Sequence, residues 1–594
     1  MAASVLVIGG GVGGLTAAHE LVERGFSVRV LEARPDWGGK ARSQPVPGSG
    51  TGGRMDLPGE HGFRFYPRFY THVIDTMKRI PSPVGGCVFY HLKPTTESAI
   101  ALVDSSTWYR FYRRPVTRPF EVIAALELFF QELDFDNRDI GLFTAKILEF
   151  LTSSEERRVG EYEQMSWWDF LEGDLYSENF QRQLRAVPRT MVAMDPRRGS
   201  ARTVGTISMQ LILDYADTGV SNDRTMGGPT SEMWFDPWIA QLASLGVQLD
   251  TGLRATTIDV AGGQISGVQL SDGTTATADY YVLAVPLDAA IQIVTPAMGA
   301  LDPALERLRL ANADDLVSWM VGIQYFLYED VPLVRGHTFF PDSPWALTTI
   351  SQPQFWRELG IFRTRYGAGD VGGLISVDVS DWDTPGKFIA KTAKECTAAE
   401  IAQEIWHQLK AGLNGPTAGE ETLTDAMLHS WHLDADLDFS SGVPAVNNSR
   451  LLVHPPGSWT LRPEAATQIP NLVLASDYVR TNTDLASMEG ASEAARRAAN
   501  VILQRTGSTA PRARVWPLLE PSGFRRPRKL DAWLYRHGYR HAFEILGIRN
   551  AARAANWLRR LEVAAGFMRV DDWLDDNVRI SRLMRKILSF LGLG

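Results

Sequence analysis

Residues 5–42, VLVIGGGVGGLTAAHELVERGFSVRVLEARPDWGGKAR, restrict this chain more than any other stretch. Val5, Leu6, Val7 and Ile8 form a wholly apolar run, the pattern of a buried parallel strand. Gly9, Gly11 and Gly14 follow in G-x-G-x-x-G spacing, with Gly13 inside it. The first glycine permits a sharp turn, the second leaves room for a pyrophosphate, and the third lets the next helix pack close to the strand. Residues 15–24 predict that helix, whose N-terminal amides and partial positive charge would face a diphosphate. Gly25 ends it. Residues 28–31 predict a second strand, and Glu32 closes it 18 residues past the last glycine. A carboxylate there can accept hydrogen bonds from both ribose hydroxyls. Glycine-rich turns alone are common; strand, glycines, helix, strand and acidic end together describe a dinucleotide-binding unit.

The rest of the chain sets bounds on that unit. With 594 residues it is expected to hold two or more domains. Apolar residues make up 44% and charged residues 22%, which argues for a packed protein rather than a disordered one. A net charge of −9 gives no reason to expect a nucleic-acid partner. Cys87 and Cys396 are the only cysteines and lie far apart, so neither a disulfide framework nor a cysteine-rich metal site is expected. No cluster of His, Cys and carboxylates has metal-ligand spacing, and no Ser-His-Asp arrangement is legible. The first strand begins almost at once, leaving no room for a signal peptide, and no apolar run approaches the ~20 residues of a membrane span. A reducing, cytoplasmic setting is the expectation.

Further stretches connect to a known group of proteins. Gly38-Gly39-Lys40-Ala41-Arg42, close behind Glu32, Ala33 and Arg34, resembles the second glycine motif of FAD enzymes of the amine oxidase and carotenoid desaturase superfamily. Residues 57–70, LPGEHGFRFYPRFY, partly keep a Gly-x-His-x-Phe-aromatic pattern found in phytoene desaturases, which makes His61 and Tyr66 candidate flavin-side residues. A half-buried loop with snorkelling arginines is the alternative for that stretch. Residues 471–503, NLVLASDYVRTNTDLASMEGASEAARRAANVIL, predict a buried strand, a loop and a long alanine-rich helix. Free amides at that helix start suit an electron-rich flavin carbonyl. Over residues 4–505 the chain is similar to plant-type phytoene and ζ-carotene desaturases and to hydroxysqualene dehydroxylases. Ser476-Asp477 departs from the usual Gly-Asp. The resemblance implies FAD as cofactor, with Glu32, Lys40, His61, Arg254, Ala255, Asp477 and Met488 among its contacts.

The expected fold class is α/β (α+β overall): a Rossmann-type FAD-binding domain with an inserted mixed-sheet and helical substrate domain, plus a C-terminal helical extension. The FAD-binding domain is assigned residues 1–115, 226–300 and 461–506, with a helical substrate or membrane-facing region at 116–225 and a substrate domain at 301–460. In the helical region Val122, Ile123, Leu126, Phe129 and Phe130 recur at helical spacing, as do Leu142, Ala145, Ile147, Leu148 and Leu151. Such stripes are either helix-packing core or ligand wall. The same choice holds for Trp345, Phe355, Trp356, Trp382, Trp406 and Trp431. Gly262-Gly263 and Asp272-Gly273 predict hairpin turns.

Residues 507–594 form a basic extension, with 17 Lys or Arg against 8 Asp or Glu from residue 511 onward. Ile580, Leu583, Met584, Ile587, Leu588 and Leu591 share one helical face, flanked by Arg579, Arg582, Arg585 and Lys586. A helix over 578–591 could lie on anionic lipid, on the inner face of a membrane, or dock on protein. By resemblance the function is FAD-dependent desaturation or dehydrogenation of a long apolar, unsaturated isoprenoid or lipid, with hydride transfer to flavin and reoxidation by a quinone. The alternatives are an FAD amine oxidase using oxygen and a redox-neutral isomerase. His61 could assist a proton transfer or be structural.

Overall fold

The computed structural model describes residues 2–112, 135–192, 194–215, 223–415 and 421–545. At its centre β1 (Ser4–Ile8) pairs in parallel with β2 (Ser27–Leu31) on one side and Tyr280–Leu283 on the other. Gln248–Asp250 and Leu472–Leu474 complete the five-stranded sheet, one at each edge. Both faces are covered, so Val5, Leu6, Val7 and Ile8 are all at most 3% exposed. The helix between the first two strands, α1 (Val12–Val22), begins three residues earlier than its apolar pattern predicts, with Gly11 at its cap. Gly14 faces the turn it leaves: a Cβ there would lie 1.8 Å from the Gly9 carbonyl oxygen.

The last segment closes back on the first. Helix Met488–Arg505 buries Ala494, Ala495, Ala498 and Ala499 completely, as α1 buries Ala17 and Ala18. These small side chains let the helices approach closely. Gly13 is part of the same contact, since a Cβ on it would meet the Ala475 carbonyl oxygen at 2.2 Å.

A second sheet of seven strands lies beyond. Its order is Leu428–Leu433, Val321–Leu327, Gly373–Val379, Leu347–Ser351, Gly336–Phe339, Glu97–Leu102, Thr107–Tyr112. Helix Ala398–Leu413 covers one face with Ile401, Ile405 and Leu409. The sequence pattern, with Ile401, Ile405 and Leu409 on one face, predicts this helix over 391–413; it starts later, because Thr397 and Glu400 form a capping box. The first domain boundary, expected at 115, is too late: strands 97–102 and 107–112 belong to this second sheet.

The helical region packs Asn137–Thr152, Glu178–Val192 and Ala201–Tyr215 with shorter turns around its own aromatic core. Leu142, Ile147, Leu148 and Leu151 lie in that core, so this stripe is helix packing. The companion stripe at 122–130 lies outside the described residues. The indole-rich set is also mainly core: Trp345 and Trp382 lie under the covering helix, Trp406 is carried on that helix in the same cluster, Phe355 and Trp356 lie in a smaller cluster, and Trp431 is partly exposed. From the extension, helix Arg525–Arg536 docks on the helical region. Buried Asp531 accepts from the Ser154 amide and hydroxyl and from Arg157 Nε at 2.8 Å. The predicted helix at 578–591 lies outside the described residues. Among the described residues no helix is long and apolar enough to cross a membrane.

Candidate active site

One cavity of about 1390 Å³ runs from the turn after β1 to the inner face of the seven-stranded sheet. Small-molecule sites usually span about 300–1,000 Å³, so this one has room for a dinucleotide and a second molecule. Gly9, Gly11 and Gly13 form one end with Glu32, Ala33 and Arg34 beside them. The Glu32 carboxylate is held by two backbone amides, Gly10 N–H at 2.7 Å and Arg34 N–H at 2.8 Å. Its orientation is thereby set, and its remaining lone pairs can serve a ribose. Gly38, Gly39 and Lys40 line the neighbouring wall, and Arg254 and Ala255 line another. Beside the glycine turn, where Ala475 meets Gly13, stand Ser476, Asp477 and Met488, the last opening a helix whose Ser487 cap accepts from the Gly490 amide. Two helix N-termini therefore open onto one space that Glu32 and Asp477 also line. Both N-termini favour an electron-rich ligand, and the whole arrangement fits FAD.

Arg42 and Tyr66 depart from expectation. Arg42 lies outside the cavity lining. Its guanidinium grips Asp436 at 2.8 and 3.2 Å, and Arg34 reaches the same carboxylate at 2.9 Å. Burial pushes the Asp436 carboxyl up, but Arg42, the Ser449 hydroxyl and Arg34 together hold it below the usual carboxylate range. The cluster ties the 34–42 loop to the turn at 434–449. Tyr66 points away from the cavity. It shares the short strand Phe65–Tyr66, where neighbouring side chains take opposite faces, so Phe65 lines the cavity and Tyr66 enters the core. There it meets Trp234 edge-on at 6.0 Å, and its hydroxyl has no hydrogen-bond partner. Burial raises its pKa well above that of an ordinary phenol. Gly14 is also absent from the lining, because its place is the contact with Gly9.

His61 does line the cavity, with Nδ1 against the Asp434 carboxylate. Burial acts to raise the Asp434 pKa, and the His61 charge and hydrogen bond lower it below the usual value. His61, Asp434 and Asp436 bring ligand-type atoms within 4.8 Å of one another. Both carboxylates already accept from protein donors, Asp434 from Gln44 at 2.7 Å and Asp436 from the arginines, so the cluster is accounted for as a charge network. Arg64 clips the same wall to the glycine loop by donating to the carbonyls of Lys40 at 2.9 Å and Gly62 at 2.8 Å.

Beyond His61 the walls become apolar and aromatic. Phe63, Phe65 and Phe69 come from the 61–70 stretch, Ile207 and Leu211 from helix Ala201–Tyr215, and Trp319, Met320 and Phe339 from the second sheet and its approach. Thr348 and Asp378 are among the polar residues that interrupt this surface. Sequence reasoning missed both. A signal was present: in Ile375-Ser376-Val377-Asp378-Val379 a carboxylate interrupts an otherwise strand-like apolar run. Because side chains alternate, Ile375, Val377 and Val379 face the covering helix and Asp378 faces the cavity. Burial pushes the Asp378 carboxyl up to about 7; Arg64 and the Phe63 amide oppose the rise and Asp434 adds to it.

A family model for flavin containing amine oxidoreductases matches residues 12–503. The carotenoid phi-ring synthase of Streptomyces griseus is 24% identical over 531 residues, covering 86% of this chain and 91% of that protein. The probable zeta-carotene desaturase of Synechococcus elongatus is 22% identical over 534 residues, covering 84% and 98%. Among solved structures, cyclohexylamine oxidase from Brevibacterium oxydans superposes with a TM-score of 0.54 at 16% identity, covering 85% of this chain and 100% of that one. An oxidoreductase from Methanosarcina mazei gives 0.55 at 13% identity, covering 84% and 100%. At these identities the solved structures are similar in fold.

Proposed function

This chain belongs to the flavin containing amine oxidoreductase family and is an FAD-dependent oxidoreductase, and from that premise we propose that it oxidises a long, apolar, unsaturated isoprenoid or related lipid. The observation that carries this reading is the continuity of the cavity: the dinucleotide cradle runs without a break into aromatic and aliphatic walls. Each Å² of apolar substrate surface removed from water there contributes about 25 cal/mol. A chain-like hydrocarbon is held by that area and needs few polar contacts. The names of the Streptomyces and Synechococcus relatives point the same way.

Bound FAD supplies a two-electron acceptor for a substrate C–H bond. The protein does the rest. Glu32, Lys40, Arg254 and the two helix N-termini hold the dinucleotide at the polar end. Phe63, Phe65, Trp319 and Phe339 orient the substrate and exclude water from the reacting carbons. A membrane quinone is the proposed acceptor of the electrons, since it shares the lipid phase with such a substrate. The basic stretch at 578–591, with its apolar residues at helical spacing, is the proposed peripheral membrane contact. If it is, deletion of residues 575–594 removes co-sedimentation with anionic liposomes.

The deciding experiment is anaerobic. Holoenzyme mixed with ζ-carotene in micelles is expected to lose its visible flavin absorbance, yield a product two hydrogens lighter by mass spectrometry, and recover colour on adding a quinone. Peroxide release with simple amines and no bleaching by the polyene would establish the amine oxidase alternative instead. Product formation without any electron acceptor would establish isomerisation.

A further inference from the structure

We propose that Asp378 is the proton acceptor for the substrate, with Thr348 beside it, on the sheet wall of the cavity. The proposal rests on the oxidoreductase reading and names a group in the substrate end of that site. Asp378 is 6% exposed and Thr348 is 3% exposed, and both line the cavity. They are register partners on neighbouring strands, Gly373–Val379 and Leu347–Ser351. Asp378 Oδ1 and Thr348 Oγ1 each have no hydrogen-bond partner. Two orphaned polar atoms side by side in an aromatic wall are costly, because each gives up water without a replacement bond. Structure alone does not account for them. The backbone even makes room for the carboxyl: a Cβ on Gly62 would lie 2.5 Å from Asp378 Oδ1, and Gly322 is its register partner on the other side.

The surroundings set the carboxyl for proton exchange. Arg64 and the Phe63 amide act on it from the 60–66 segment and Asp434 from beyond strand Leu428–Leu433, and His61 and His337 line the same cavity. Arg64 spends its donors on backbone carbonyls and forms only a 3.9 Å ion pair, with Glu60, so it lowers the Asp378 pKa without neutralising the carboxyl. Burial dominates and pushes the carboxyl up to about 7, where a general base is most useful.

The step balances as follows. Oxidised FAD, when bound, would supply the acceptor for the hydrogen and electron pair of one substrate C–H bond, taken as hydride. The C–H bond on the adjacent carbon breaks with its proton passing to the Asp378 carboxylate. The electron pair left behind becomes the second bond of the new C=C. The substrate loses two hydrogens and two electrons, and the proton returns to water after product leaves.

Two measurements on holoenzyme test this. In the first, anaerobic bleaching by ζ-carotene is followed from pH 5 to 9 for wild type, Asp378→Asn and Asp378→Glu. The wild-type rate is expected to rise about tenfold per pH unit to near pH 7 and then level. Asp378→Asn is expected to be about 100-fold slower or more and flat with pH, with unchanged flavin content and polyene affinity, and Asp378→Glu to restore the pH dependence. An Asn variant with the wild-type rate and profile overturns the proposal and leaves the substrate reading intact. In the second, infrared difference spectra are recorded across the same pH range without substrate. A protonated-carboxyl band that disappears near pH 7 in wild type and is missing from Asp378→Asn supports the proposal; no such band overturns it. If ζ-carotene fails to bleach wild type, the substrate reading has failed, and the infrared titration alone decides Asp378.

Discussion

Gly13 and Tyr66 show how differently two residues near one site can matter. A methyl group on Gly13 would overlap the Ala475 carbonyl, which is backbone and cannot move aside without opening the joint between first and last segments. Gly13→Ala is therefore expected to lose FAD on gel filtration and to melt earlier, at a cost at or above the roughly 1–3 kcal/mol of ordinary overpacking. Tyr66 carries the opposite expectation. Its buried hydroxyl has no partner, so Tyr66→Phe removes an unsatisfied group that costs about 1–3 kcal/mol. The variant should keep full flavin reduction and melt at or above the wild-type temperature. A loss of turnover with retained flavin would return Tyr66 to the site. The glycine was legible as part of the glycine-rich turn, but its contact with Ala475 was not. Nor was the tyrosine's direction, because which of two adjacent strand residues faces a cavity depends on where the sheet sits.

Elements were read best where periodicity and local chemistry agree. The first two strands, the hairpins around Gly262-Gly263 and Asp272-Gly273, and helix Met488–Arg505 lie close to their predicted places. Helix Ala398–Leu413 is the instructive near miss: its stripe was plain, and the T-x-x-E box at Thr397 and Glu400 marked its true start. Docking between elements had no such marker. The described part of the C-terminal extension is held by Asp531, 1% exposed and bound to Ser154 and Arg157. Asp531→Ala leaves Arg157 Nε without its acceptor while the ion pair of Arg157 with Glu161 at 2.6 Å remains, so the cost is expected below the about 3–5 kcal/mol of a buried charge left wholly unpaired. Limited proteolysis should then cut between 507 and 525 far faster than in wild type, while the flavin spectrum stays unchanged. Unaltered cleavage would show that other contacts hold this helix.

At the scale of the molecule, the site lies between two sheets, each assembled from distant parts of the chain. Residues 97–112 join strands more than 200 residues later, and the dinucleotide sheet gathers three separate stretches. This joint places Asp378 in a low-dielectric wall, and stability should report it. An exposed aspartate titrates near 3.8 and this one near 7, so the folded state holds the proton more tightly. Protonation therefore supports folding below pH 4, and that support is lost as pH rises to 7, by about 1.4 kcal/mol per unit. Asparagine has no such loss. Melts at pH 5 and pH 8 should show Asp378→Asn gaining on wild type at the higher pH, and a constant gap would contradict the placement. The sequence by itself determined the nucleotide cradle, because a sharp turn, a close helix and an acidic strand end are local demands met within forty residues. Only the tertiary structure decided which side chains wall the second half of the cavity, because strand alternation assigns a face but distant pairing decides what that face looks upon.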